Sequence, residues 1–369
     1  MYFRLLACVF LAGFLPDLAL ATDNPSSPLQ RSYFYVGGHY TGEPGKEIMK
    51  GQMYVEALFP PKITHPHPIV LIHGAAQTAT NWMGTPDGRP GWSEYFVSKG
   101  YVVYMIDQPA RGRSAWHQGE DGNLRSFPAS AAERFFTATA QFGLWPQARK
   151  HTQWPGTGRM GDRVFDAFFR TQVAFVGDET ETQLRMREAG AALLDRIGPA
   201  ILLTHSQGGP LGWVIADARP GKVKGIVAIE PSGPPFENII LAANKARPWG
   251  VTDTEISYDP PAHSPSELQL SKESAPDSTY LHACTLQREP ARQLKNLKGV
   301  PTLLLVAEAS YHSIYDHCTA KYLRQAGVPV DFVRLEDRGL KGNGHMVMLE
   351  KNNLEIAALI DRWASNQTD

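Results

Sequence analysis

The sequence predicts an α/β fold: a mostly parallel central sheet flanked by helices, forming one domain with two long insertions. Three observations predict it. From about residue 68 onward, short apolar runs alternate with segments of helix-forming composition, the pattern of successive βαβ units. Runs such as Pro68–Ile72 and Tyr101–Ile106 are continuously apolar, which suits strands buried on both faces. Several runs stop at a polar or small residue, among them His73, Asp107, Ser206 and Glu230. In open α/β sheets those carboxyl ends are where ligands are held.

Taken in order, residues 1–21 read as a secretory leader. Arg4 supplies the charge, Leu5 to Leu15 the apolar core, and Ala19-Leu20-Ala21 a small-x-small cleavage site. Pro16 and Asp17 interrupt a stretch too short for the about 20 apolar residues of a bilayer span. A secreted protein, extracellular or periplasmic, without stable membrane insertion is therefore expected, with residues 22–369 as the mature domain. Ser32–Val36 and Gln52–Leu58 read as an antiparallel pair joined by Gly-rich chain. Parallel strands follow at Pro68–Ile72 and Tyr101–Ile106, with a helix over Trp92–Ser98 between them. Glu179–Arg196 is helical and leads into the strand before Ser206. Further strands are expected at Lys224–Ile229, Thr302–Ala307 and Val330–Leu335, with helices near Thr319–Gln325 and Leu349–Trp363. Two segments break the alternation, near 114–178 and 231–297. They leave from strand carboxyl ends and read as cap or lid material, carrying Trp116, Trp145, Trp154 and Trp249.

With 43% hydrophobic and 20% charged residues, the composition is globular. A formal net charge of -1 gives no electrostatic reason to expect nucleic acid or an acidic membrane surface as partner. After loss of the leader, Cys284 and Cys318 are the remaining cysteines. In an oxidising compartment they either pair, closing a loop of roughly 35 residues, or stay as two buried thiols. Asn366-Gln367-Thr368 is a glycosylation sequon near the end of the chain.

The chemistry centres on Ile201-Leu202-Leu203-Thr204-His205-Ser206-Gln207-Gly208-Gly209. An apolar strand ends in a serine between small residues, and helix-compatible chain follows, the form of a nucleophile elbow. Thr204 stands where the G-x-S-x-G pattern has its first glycine. A serine hydroxyl needs a base to take its proton and a third group to orient that base. His345, in Gly342-Asn343-Gly344-His345-Met346 between the last strand and last helix, is the candidate base. Two glutamates end apolar strands: Glu230 in Ile229-Glu230-Pro231, and Glu308 after Thr302–Ala307. Glu230 is the preferred acid, since burying a carboxylate there needs a partner. Glu308 is the alternative, and Asp316 a less direct one. The oxyanion hole would use backbone N–H groups of Gln207, at the start of the helix after Ser206, and of Ala75, in His73-Gly74-Ala75-Ala76-Gln77. His65-Pro66-His67 reads as a loop, not a metal pair, and no cofactor or metal is expected.

The run Asp107-Gln108-Pro109-Ala110-Arg111-Gly112-Arg113-Ser114 is similar to the D-x-x-G-x-G-x-S turn of the α/β-hydrolase superfamily, with Ala110 in the first glycine position. The chain resembles that superfamily over nearly its whole mature length. More narrowly, it resembles secreted microbial serine esterases whose triad acid is a glutamate after strand six. Thr204-His205-Ser206-Gln207-Gly208, Ile229-Glu230-Pro231 and Gly344-His345 carry that likeness. The resemblance implies hydrolysis of a carboxylic ester or lactone by Ser206, His345 and Glu230 through an acyl-enzyme, with a small-molecule substrate. Acyl transfer on the same triad differs only in the acceptor. A non-catalytic binding protein on the same scaffold is the other alternative. Substrate identity and oligomeric state are left open.

Overall fold

The computed structural model describes residues 29–274 and 278–367, so the expected leader over residues 1–21 lies outside the described residues. Eight strands make the central sheet: β1 (Gln30–Thr41), β2 (Ile48–Phe59), β3 (Ile69–Ile72), β4 (Val103–Asp107), β5 (Ala200–His205), β6 (Val223–Ile229), β7 (Thr302–Val306) and β8 (Val330–Arg334). Their spatial order is β1-β2-β4-β3-β5-β6-β7-β8. β2 runs antiparallel to β1 and β4, and every pairing from β4 to β8 is parallel.

The continuously apolar strands are explained by what lies on each side of them. Val70, Ile72, Leu202, Ile226, Ala228 and Leu304 point into one core, and their neighbours Ile69, Leu71, Ile201, Leu203, Val227 and Leu305 into a second. This is the period-two alternation of a strand, with apolar residues required on both faces. Helices α1 (Trp92–Ser98) and α5 (Asn353–Ala364) close the second core; α2 (Glu179–Ile197), α3 (Gly208–Ala218) and α4 (Asp316–Gln325) close the first. Among the described residues, no helix is long and apolar enough to cross a membrane.

Four elements differ most from expectation. β1 and β2 are each 12 residues long and extend beyond the apolar runs that mark them, because a hairpin ladder continues through polar residues as long as both strands stay paired. α4 begins at Asp316 rather than Thr319, directly after a 3₁₀ turn over Tyr311–Ile314. α5 begins at Asn353 rather than Leu349. There the Arg89 guanidinium takes the carbonyls of Leu349, Glu350 and Lys351 at 2.9–3.0 Å. A helix starting at Leu349 would need those carbonyls for its own first turn.

The connection between β4 and α2 and that between β6 and β7 carry four two-stranded ribbons. Trp145, Trp154 and Trp249 are buried, and the Trp116 indole N–H donates to the Gly122 carbonyl at 3.0 Å, so these tryptophans serve packing. Cys284 and Cys318 form a disulfide that ties the second connection to α4. Closing that loop restricts the unfolded chain, so the double substitution Cys284→Ser/Cys318→Ser should lower stability by about 2–4 kcal/mol. Denaturant titration of the two proteins checks this; an unchanged midpoint would mean that packing alone fixes the connection.

Candidate active site

Ser206 follows β5 at φ +55°, a conformation that costs a non-glycine residue about 1–3 kcal/mol. Hydrogen bonds hold it there. Its N–H donates to the Ile229 carbonyl at the end of β6 (3.0 Å), and its own carbonyl accepts from Gly209 and Ser232 (both 2.9 Å). The turn thus continues the sheet ladder one residue beyond the strands. Thr204 fits here because Gly212, one turn into α3, leaves space: a Cβ there would lie 2.9 Å from the Thr204 methyl. On the opposite side, Gly74 approaches so closely that a Cβ would come within 3.0 Å of the Ser206 Cβ.

Glu230, at the end of β6, also has positive φ (+46°), and its N–H donates to the Leu305 carbonyl of β7 (3.0 Å). Its carboxylate is fully buried. Oε1 accepts from the Ala307 N–H (2.8 Å), while Oε2 accepts from the Ser310 hydroxyl (2.7 Å) and from His345 Nδ1 (2.6 Å). Burial pushes the Glu230 pKa up to about 8; the Ser310 and Ala307 donors oppose that by stabilising the charge. Burial also holds His345 well below the ordinary histidine range, helped by its neighbours His205 and His312.

The loop bearing His345 is fixed from beneath. The buried Glu350 carboxylate accepts from the Gly344 N–H (2.9 Å) and the Asn343 amide (2.7 Å), and lies 2.7 Å from His151 Nε2. The His345 carbonyl is 3.0 Å from His205 Nε2. Around the imidazole stand the rings of His205, His312, Phe136 and Tyr311, with centroids at 4.5–5.1 Å. The Tyr311 hydroxyl lies 3.5 Å from His345 Nε2, and Tyr311 lines the same cavity as Ser206.

Ser206 opens on a cavity of about 410 Å³. Ala75 and Gln207 line it beside the serine. The loop bearing Ala75 is anchored by the buried Arg111, which donates to the Gly74 carbonyl (3.0 Å) and to the Gln207 side chain (3.2 Å). Arg111 belongs to the turn after β4, where Ala110 adopts φ +60°, which explains why a glycine is usual at that point. The Asp107 carboxylate locks the turn by accepting from the N–H groups of Ala79 (2.8 Å) and Arg113 (2.9 Å). The two connections add Phe127 and Phe175 from the first and Ile239 and Leu241 from the second, while Tyr311 and Tyr315 after β7 and Glu179 of α2 also line the cavity.

Ser206, Glu230 and His345 are therefore brought to one place, with Ala75 and Gln207 at its edge. The other two candidate acids are elsewhere. Glu308 pairs with Lys150 at 2.8 Å and accepts from the Gly342 N–H at 3.0 Å. Asp316 lies 2.9 Å from His312 Nδ1. Three neighbours were not singled out in the sequence: Ser310, Tyr311 and His312. Their one legible signal is position, directly after β7, the usual place for the acid in this layout.

Among the described residues, two groups of His, Cys and carboxylate side chains bring possible metal-ligand atoms within 4.8 Å of one another. In the first, Cys284 and Cys318 are joined to each other beside His317. In the second, Glu230, His312 and His345, the imidazoles stack at 4.9 Å with 3° between their planes. Imidazole lone pairs lie in the ring plane, so two stacked rings do not converge on one ion at ordinary ligand distances of about 2.0–2.1 Å.

A strained serine at a strand-to-helix turn, beside a histidine on the loop before the last helix, defines the class of α/β hydrolases. Residues 69–359 match the Alpha/beta hydrolase family, and the chain belongs to it. It is 50% identical over 337 residues to a probable secreted lipase, phiG, of a fungal species (strain ATCC 74256), covering 91% of this chain and 90% of that one. It is also similar to a solved structure described as a novel bacterial esterase, with TM-score 0.60 and 23% identity over 95% of this chain and 100% of that chain. That second likeness concerns the fold.

The hydrogen bonds to Glu230 generate a prediction. Ser310→Ala removes a donor to the ionised carboxylate, which favours its protonated form. The shared titration of the Glu230–His345 pair should then move to higher pH, followed by NMR of the His345 ring. A shift to lower pH, or none, would mean that Ser310 does not stabilise the charge.

Proposed function

We propose that the protein is a secreted serine esterase that cleaves a small carboxylic ester or lactone through Ser206, His345 and Glu230. One observation carries the reading above all: the 2.6 Å contact between His345 Nδ1 and the buried Glu230 carboxylate, beside a serine held at positive φ. Family membership and the fungal relative named a lipase support ester hydrolysis.

The chemistry follows from the geometry. With Nδ1–H committed to Glu230, Nε2 of neutral His345 carries the lone pair that takes the Ser206 proton. The serine oxygen attacks the ester carbonyl, and charge develops on the carbonyl oxygen. The N–H groups of Gln207 and Ala75 receive that charge, Gln207 at the positive end of α3. The C–O bond to the alcohol breaks, and the departing oxygen takes the proton from Nε2. Water, activated by the same nitrogen, then releases the acid from Ser206. Glu230 keeps its hydrogen bond to Nδ1–H and stabilises the imidazolium that forms at each stage.

The cavity suits an ester with an apolar portion, because Phe127, Phe175, Ile239 and Leu241 face Ser206 across it. A polar edge adjoins Phe175, where the Gln207 amide donates to Glu179 (2.8 Å), Glu179 pairs with Arg125 (3.0 Å) and Arg125 lies over the Phe175 ring (4.7 Å). The two connections over the strand ends act as a cap in this reading. Secretion is supported by the leader over residues 1–21, by the disulfide and by the relative's name.

A chain-length series of chromogenic esters tests the proposal. Wild type should hydrolyse them and Ser206→Ala should not. Glu230→Gln should lower kcat by about 10³–10⁴-fold, whereas Glu308→Gln should stay within about threefold of wild type. A crippled Glu308→Gln beside an active Glu230→Gln would move the acid to β7 and refute the triad as drawn.

A further inference from the structure

Tyr311 is buried and aromatic, and its one polar atom is aimed at the reacting groups. The hydroxyl lies 3.5 Å from His345 Nε2, and Tyr311 shares the cavity wall with Ser206. Its ring has little freedom. Trp145 and Phe135 meet it edge-on at 5.9 and 6.4 Å, Phe136 leans on it at 6.4 Å, and His312 and Tyr315 flank it along the chain at 4.4 and 6.3 Å. The Trp145 indole N–H donates to the Ala309 carbonyl at 3.0 Å, which fixes the cage to the strand end that carries Tyr311. A buried hydroxyl held this firmly at Nε2 has more than a packing role to explain.

We propose that Tyr311 is a further catalytic residue of the esterase reaction, donating a hydrogen bond to the alcohol oxygen as it leaves. The inference rests on the esterase reading above. When the tetrahedral intermediate collapses, the ester C–O bond breaks and the departing oxygen must sit within reach of His345 Nε2 to take its proton. An atom in that position is also beside the Tyr311 hydroxyl. Tyr311 keeps its own proton and shares it only as a hydrogen bond, so the proton delivered comes wholly from His345. Burial holds the phenol well above its ordinary pKa, which keeps it a neutral donor through the cycle. In the deacylation half, the attacking water occupies the same place and is oriented by the same two groups.

The role makes a specific demand on substrate. An alkyl alcohol is a poor leaving group and needs help as charge builds on its oxygen, whereas nitrophenolate leaves unaided. Tyr311→Phe keeps the ring and removes the hydroxyl. For a pair of esters with one acyl group, its kcat/KM should fall about 10–100-fold on the ethyl ester, the scale of one lost hydrogen bond to a charged group. On the nitrophenyl ester it should fall less than about threefold. An equal or larger loss on the nitrophenyl ester would make Tyr311 a shaping residue and overturn the proposal, as would no loss on either. Wild-type enzyme that hydrolyses neither ester would instead overturn the esterase reading itself. Should the phenylalanine variant lose its thermal transition, 3-fluorotyrosine at position 311 keeps the shape and makes a stronger donor. It should raise kcat/KM on the ethyl ester selectively, and an unchanged value would refute the role.

Discussion

The contact between the Glu230 carboxylate and the His345 imidazole is the constraint around which the rest of the site is arranged. A carboxylate withdrawn from water is costly unless donors replace the water it loses. Here they come from separate parts of the chain: Ala307 and Ser310 from the end of β7, and His345 from the loop after β8. The contact therefore requires that β6, β7 and β8 lie side by side and end at the same level, which the parallel pairing provides. It also requires that the loop carrying His345 be rigid. Glu350 supplies that rigidity through Gly344, Asn343 and His151.

Placing the carboxylate on β6 changes what the end of β7 can do. Glu308, which ends that strand in the sequence, turns away from the histidine. Its bonds to Lys150 and to the Gly342 N–H join the first connection to the histidine-bearing loop, and the neighbouring Thr152 N–H reinforces the join by donating to the Gly342 carbonyl at 2.9 Å. The segment from Ser310 to Asp316 is then free to face inward. It presents Ser310 to Glu230 and Tyr311 to His345 Nε2, while His312 stacks on the His345 ring with Asp316 behind it. Burial pushes His312 down to about 4 and Asp316 well up, so both are biased toward their neutral forms.

Much of this was legible in the sequence because it depends on local rules. Continuous apolar runs identified the parallel strands, and the residues that end them identified Ser206 and Glu230. The substitutions within the motifs were also legible as departures, but their accommodation was not. Thr204 is tolerated because Gly212 lies opposite it, and Ala110 because hydrogen bonds to Asp107 hold its turn at positive φ. The contacts of Ser310 with Glu230 and of Tyr311 with His345 were hidden, since no periodicity marks a loop and their partners lie 80 and 34 residues away. The start of α5 depends on Arg89, about 260 residues earlier, which no local pattern reports. The disulfide likewise needed a distance that spacing does not supply.

The same division separates chemistry from selectivity. Ser206, Glu230 and the loop before α5 are held by hydrogen bonds to strand ends, so their positions follow from the sheet. The surfaces that would meet a substrate come from the two connections, through Phe127, Phe175, Ile239 and Leu241. Phe127, Ile239 and Leu241 lie outside the strand ladders, whereas Phe175 pairs with Arg125 and packs under Arg111, which ties it to the loop beside the elbow. Tyr311 belongs to both parts. Its backbone follows β7, yet its ring is clamped by Phe135, Phe136 and Trp145 of the first connection. A change in that connection can therefore reach the His345 ring both through Phe136, which touches it at 5.1 Å, and through the Tyr311 hydroxyl, so the aromatic cage ties the cavity wall to the histidine.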